Sequence, residues 1–314
     1  MRIFDAHCDV LWKMAENQQL SFYETNELLH VNYASMKESN IGVQAFALFV
    51  PPTIPSQQKF DYVLKMIDIY HEQILNNKLM VPILSSKDLK KALHNDTKLR
   101  GGILTLEGAD ALQGKLLHLR TLYRLGVRGL GFTWNYRNEA ADGVEEPKPG
   151  GLSKFGRELL QEANRLRMVL DVSHLSEPGF WDVIHLTGSP IIASHSNCKT
   201  VHSHPRNLTD EQLQAIFKLN GVVGLTFVPS FISGEENVFI SDLLRHLEHV
   251  LTLGGENHVA FGSDFDGITK TMNDLSNAKQ YHGLVNTLLQ NYQESQVEKW
   301  LHGNLQRVFE EILG

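Results

Sequence analysis

Short apolar runs alternate with longer amphipathic segments along the whole chain. The apolar runs fall at residues 3–6, 43–50, 102–106, 127–133, 168–172, 190–193, 221–227 and 259–261. Each is β-branched or aromatic and apolar at consecutive positions, the pattern of parallel strands covered on both faces. Between them, apolar residues recur at helical spacing. Phe60, Val63, Leu64, Ile67, Tyr70 and Ile74 form one stripe, and Phe155, Leu159, Leu160 and Ala163 a second. Leu243, Leu244, Leu247, Val250 and Leu251 form a third that stops at Gly254-Gly255, as a helix C-terminus should. Thr209-Asp210-Glu211-Gln212 has the form of a capping box ahead of Leu213, Ile216 and Phe217. Val297, Leu301, Leu305, Val308 and Ile312 make a last stripe.

Eight strand candidates alternating with helices predict an α/β chain folded as one (β/α)8, TIM-like barrel over residues 1–314. Residues 18–38, 139–151 and 199–208 are the expected loop insertions. The rival is an open doubly wound sheet, but no GxGxxG or Walker pattern follows any apolar run. Composition agrees with a globular chain: 42% of residues are hydrophobic and 21% charged, which excludes disordered and collagen-like classes. A formal net charge of −7 without a sustained basic run argues against nucleic acid as a partner. The longest apolar run, 45–52, falls short of the roughly 20 residues needed to span a bilayer, so no membrane contact is expected. Asp5, His7 and Asp9 interrupt the stretch where a signal peptide would be apolar, and the expected location is the cytoplasm. Cys8 and Cys198 are too few for a disulfide scaffold.

The chemistry lies where ionisable residues meet the ends of these runs. The first run leads into Asp5-Ala6-His7-Cys8-Asp9 and the third into Leu106-Glu107-Gly108. The fifth leads into Asp171-Val172-Ser173-His174, the sixth into Ser194-His195, and the eighth into Gly262-Ser263-Asp264-Phe265-Asp266. The C-terminal ends of barrel strands form the active-site face, so His7, Asp9, Glu107, His174, His195 and Asp264 are expected at one mouth. Residues two apart on a strand share a face, which would let His7 and Asp9 reach one cation while Cys8 packs toward the helices. Imidazole with carboxylate suits Zn²⁺ or a similar ion. Three histidines with Asp and Glu are too many for one open tetrahedral site; they suit two metals about 3.5–4 Å apart with a bridging carboxylate. Glu107 is the natural bridge, and two such ions would hold a shared hydroxide for hydrolysis. His30, His71, His94, His118, His246, His249, His282 and His302 fall in helices or loops and read as structural.

The ordered set of motifs resembles the membrane (renal) dipeptidase family of metallopeptidases. It runs from Asp5-Ala6-His7-Cys8-Asp9 through Leu106-Glu107-Gly108, Asp171-Val172-Ser173-His174, Ser194-His195-Ser196 and His204-Pro205-Arg206-Asn207 to Gly262-Ser263-Asp264-Phe265-Asp266-Gly267. The resemblance implies a binuclear zinc dipeptidase with two Zn²⁺ per chain, acting on small dipeptides, including those with a C-terminal D-residue. By motif match, His7, Asp9 and Glu107 would bind one zinc, and Glu107, His174 and His195 the other. Asp264 would pass a proton to the leaving amine, and Arg206 would grip the substrate carboxylate with its bidentate fork. Asp266 and Trp134 are further candidates for substrate contact. Trp134 is a departure, because many members of the family carry a histidine at that point of the segment. A homodimer through apolar helix faces is also implied. The competing reading is another barrel metallohydrolase, a cyclic amidase, deacetylase or lactonase. Those often open with H-x-H and use a carboxylated lysine after the fourth strand, and neither feature is present. A metal-binding protein without turnover is a third reading, motivated by Trp134 alone.

Overall fold

A computed structural model describes residues 1–24, 28–75 and 78–314. Nine parallel strands form one sheet: β1 (Ile3–Cys8), β2 (Ile41–Phe49), β3 (Met80–Pro82), β4 (Arg100–Glu107), β5 (Val127–Gly131), β6 (Val169–Asp171), β7 (Ile191–Ala193), β8 (Val222–Leu225) and β9 (Val259–Phe261). Each of the eight apolar runs holds part or all of one strand. β1 pairs with β2 on one side and β9 on the other, and β2 pairs with β4, so eight strands close in the order β1-β2-β4-β5-β6-β7-β8-β9. The additional strand, β3, pairs only with the start of β4, through Met80 with Arg100 and Pro82 with Gly102. Three residues are too short a run for the hydrophobic pattern to mark as a strand.

The helical stripes fold as their spacing requires. The capping box is present: Thr209 Oγ1 accepts from Gln212 N at 3.3 Å, and Gln212 Oε1 accepts from Thr209 N at 3.0 Å. The third stripe is the helix Ile240–Thr252, and Gly254 takes φ +85°, a left-handed position after the helix that glycine reaches without a Cβ clash. Inside the barrel, Phe4, Val43, Ile103, Val169, Ile192, Val222 and Ala260 pack together, one residue from each of seven strands. Leu305, Val308, Phe309 and Ile312 of the last helix join this cluster and close it below, which leaves the opposite rim for chemistry. A larger cluster fills the layer between strands and helices and includes Cys8 and Cys198, both free thiols. Of the insertion expected at 18–38, residues 25–27 lie outside the described residues. Among the described residues no helix is long and apolar enough to cross a membrane.

Candidate active site

His7 enters the barrel mouth through an irregularity rather than by simple alternation. Phe4 and Ala6 face the barrel interior, so a regular strand would turn His7 outward. The β1–β2 register shifts between Asp5 and Cys8, and such shifts re-aim side chains beside active sites. Asp9 lies past the strand, at the N-cap of the helix Val10–Glu16. The expected pairing of His7 with Asp9 is therefore met, at 3.4 Å between His7 Nε2 and Asp9 Oδ2, but by a strand end and a cap rather than by two positions of one strand. Buried Asp5 fixes this end: its Oδ1 accepts from His7 N at 3.2 Å and Ser263 N at 2.9 Å.

Glu107, the last residue of β4, faces both ways. Its Oε2 is 3.4 Å from His7 Nε2, while its Oε1 is 2.9 Å from His174 Nε2 and 3.8 Å from His195 Nε2. His174 and His195 bring their Nε2 atoms within 2.8 Å of each other. Asn135 Nδ2 donates to Glu145 at 2.8 Å, which leaves Asn135 Oδ1 to accept from His174 Nδ1 at 2.6 Å. The proton of His174 thus sits on Nδ1, and its Nε2 lone pair points at a carboxylate oxygen. Ser194 Oγ holds His195 Nδ1 at 2.7 Å.

The electrostatics agree with a cation between these groups. Burial, with the Arg206 charge behind it, holds His174 down at about 3, and burial followed by the His7 and Arg206 charges holds His195 well below its usual value. Burial works against the charge on Glu107, but His7 and His174 overcome it and keep the carboxylate ionised. The neutral imidazole lone pairs of His174 and His195 face the ionised Glu107 carboxylate, an arrangement that a cation between them would relieve. His7 Nε2 and Asp9 Oδ1 are buried without a hydrogen-bond partner. The ligand atoms of His7, Glu107 and His195 lie within 4.8 Å of one another, as do those of His7, Asp9 and Asp264. The residues present fit a metal centre.

Backbone strain gathers at the same place. His174 and Asp264 take φ of +68° and +62°, a left-handed conformation that costs a non-glycine residue about 1 kcal/mol or more. Asp264 N donates to the His7 carbonyl at 3.2 Å, which holds the turn. Burial pushes the Asp264 carboxyl well up, and the neighbouring Asp9 and Glu107 carboxylates push the same way against His7 and Arg206. Gly267 is a packing requirement, since a Cβ there would lie 2.3 Å from Asp9 Oδ2 and 2.5 Å from Asp264 Oδ1.

A cavity of about 410 Å³ opens over this cluster, and Asp9, Glu107, Trp134, His174, Arg206 and Asp264 all line it. Buried Arg206 donates from Nη2 to the His195 carbonyl at 3.3 Å and lies 5.5 Å over the Phe231 ring, and burial lowers its guanidinium to about 10. Trp134 stands in the wall, 5.4 Å from Phe49 and 6.1 Å from His174 between ring centroids. His7 and His195 belong to the ligand cluster without lining the cavity, and Asp266 is the one candidate brought to neither. It is fully buried, and its two oxygens accept from His30 N at 2.8 Å and Val31 N at 3.0 Å, so substrate contact is replaced by anchoring of the segment after β1. Asn135, next to Trp134, and Ser194, inside the Ser194-His195-Ser196 motif, orient the two histidines; only the acceptor need of a metal-facing imidazole could have marked them.

A family model described as membrane dipeptidase (peptidase family M19) matches residues 1–313. The chain belongs to this family. Its enzyme class is that of a metallodipeptidase, as the expected motifs implied. Among M19 structures, a dipeptidase superposes with a TM-score of 0.93 at 31% identity over 100% of this chain and 99% of that one. A metallopeptidase from Rhodobacter sphaeroides, liganded with a phosphinate mimic of the dipeptide L-Ala-D-Ala, superposes with a TM-score of 0.92 at 29% identity, covering 99% of both chains. An uncharacterised Klebsiella pneumoniae protein from the pqqA 5′ region is 35% identical over 240 residues, 73% of this chain and 88% of that protein. The expected barrel and reaction class stand with the M19 family.

Proposed function

We propose that this M19 protein is a binuclear zinc dipeptidase that cleaves dipeptides with either an L- or a D-residue at the C-terminus. The observation that carries the reading is Glu107, with one carboxylate oxygen toward His7 and the other toward His174 and His195. His7, Asp9 and Glu107 would hold one ion, and Glu107, His174 and His195 the other. Bound there, the ions would supply Lewis acidity at the scissile carbonyl and a water-derived nucleophile at neutral pH.

The protein's own groups do the rest. Arg206 receives the substrate carboxylate; its burial against Phe231 leaves it few competing partners and makes a charge-assisted pair strong. Asp264, which lines the cavity beside Asp9 and Glu107, would take the proton released by the attacking water and deliver it to the leaving nitrogen. Trp134 cannot supply the positive charge of a histidine; it forms part of the cavity wall. The phosphinate dipeptide mimic held by the Rhodobacter sphaeroides relative supports a substrate of this size and the D-residue.

Elemental analysis of the purified protein, alongside hydrolysis of L-Ala-L-Ala and L-Ala-D-Ala, tests the reading. Two zinc per chain with turnover of both is expected. A zinc-loaded protein that leaves a broad dipeptide panel uncut would overturn it, and cleavage confined to L-L substrates would remove the D-residue claim.

A further inference from the structure

The cavity has two unlike sides, and the barrel order assigns them. Arg206 follows β7, and Phe231 follows β8. Trp12, in the helix after β1, Phe49, the last residue of β2, and Trp134, just past β5, rise from the opposite part of the ring β1-β2-β4-β5-β6-β7-β8-β9. Trp12 and Phe49 meet edge to face at 5.7 Å between centroids, and Phe49 and Trp134 meet at 5.4 Å, so the three rings form one continuous wall. Pro51 and Pro52 extend it. Apart from the candidate metal and proton-transfer groups and Arg206, no described residue lining the cavity carries a charge.

On the dipeptidase reading, a substrate whose carboxylate rests on Arg206 and whose scissile carbonyl lies over Glu107 points its N-terminal residue away from β7, at the aromatic wall. We propose that Trp12, Phe49 and Trp134 form the pocket for the N-terminal side chain, and that the enzyme selects dipeptides beginning with a large apolar, above all aromatic, residue. Ring contacts reward a phenyl or branched aliphatic group there. A charged side chain would lose its hydration and find no partner. The tryptophan at 134 therefore does more than stand in for a missing histidine: it completes a specificity surface.

The test compares kcat/KM of the zinc-loaded enzyme for X-L-Ala with X = Phe, Leu, Ala, Asp and Lys, and for the mirrored series L-Ala-X. Phe and Leu in the first position should exceed Ala by roughly tenfold or more, the discrimination a hydrophobic pocket gives for added methylenes. Asp and Lys should fall below Ala. Trp12→Ala and Trp134→Ala should each reduce the ratio of Phe-Ala to Ala-Ala turnover by about tenfold, and Trp134→Phe should restore most of it. Binding provides a second readout: a phosphinate mimic of Phe-Ala should hold at least about tenfold tighter than that of Ala-Ala. Equal rates for Phe and Asp in the first position, or a Trp12→Ala effect confined to the mirrored series, would overturn the inference and leave the dipeptidase reading intact. Failure to cut any dipeptide would overturn that reading first. The unsubstituted enzyme alone decides the first comparison, whatever the variants do to folding.

Discussion

His246 tests whether the Arg206 side of the cavity is held by one buried imidazole. It is fully buried on the helix Ile240–Thr252. Its Nδ1 accepts from Cys198 N at 3.1 Å, at the root of the loop that carries Arg206, and its Nε2 donates to the Ile232 carbonyl at 2.9 Å, in the short helix that carries Phe231. Those partners require the neutral ring. Replacing it by Leu strands one buried N–H and one buried carbonyl, each costing about 1–3 kcal/mol, so His246→Leu should lose roughly 2–6 kcal/mol of stability at pH 7.5. Burial lowers the folded-state pKa to about 4, aided by the nearby His202, Arg245 and His249 charges and opposed by the Ile232 bond. The unfolded chain binds the proton more readily than the fold, so this group's stabilisation is complete above about pH 6.5 and is lost as pH falls toward 4. Between pH 7.5 and 5 the loss amounts to about 2 kcal/mol. Urea unfolding of both proteins at the two pH values measures it. The native protein should lose about 2 kcal/mol more than the variant over this interval, and hydrogen exchange in 196–208 should quicken in the variant. A variant as stable as the parent at pH 7.5, or one with an identical pH slope, refutes the argument.

Three further substitutions probe the site. Glu107→Ala should weaken retention of both metals together, read by elemental analysis after dialysis, and two ions held as tightly as in the parent would contradict the bridge. Arg206→Ala should raise KM for dipeptides by about 100-fold, since a charge-assisted pair is worth up to about 3 kcal/mol, but barely change it for C-terminally amidated analogues; equal effects on both would remove the carboxylate contact. Gly267→Ala places a methyl against Asp9 and Asp264 and should cut kcat/KM by about 100-fold with little change in melting temperature, because a displacement of about 1 Å suffices. Undiminished turnover would show that the turn accommodates a Cβ.

The barrel was legible because each strand is buried on both faces and so reads as an unbroken apolar run; only β3, three residues long, escaped that signal. His7, Glu107, His174, His195 and Asp264 were legible because barrel geometry gathers strand ends and their residue types suit a metal. Asp9 lies beside His7, but not for the reason of strand alternation, which does not persist through the Asp5–Cys8 shift. Asp266 misled because a carboxylate in a motif carries no mark of which way it faces; at φ +70° it turns into the protein and serves two backbone amides. Local pattern shows residue type and strand position but not side-chain direction at a turn, and Asn135, Ser194 and the Trp12–Phe49 contact depend on that direction.

Closure of the ring has a consequence for how the protein is made. His7 and Asp9 emerge first in synthesis, yet Asp264 and the β9 strand that pairs with β1 emerge near the end. With translation at about 5–20 residues per second, His7 and Asp9 wait many seconds before the strand that closes the ring beside them is made. On the binuclear reading, an ion at His7 and Asp9 would therefore be held tightly only after the last strand inserts, and a ribosome-stalled chain ending before Val259 should retain none there.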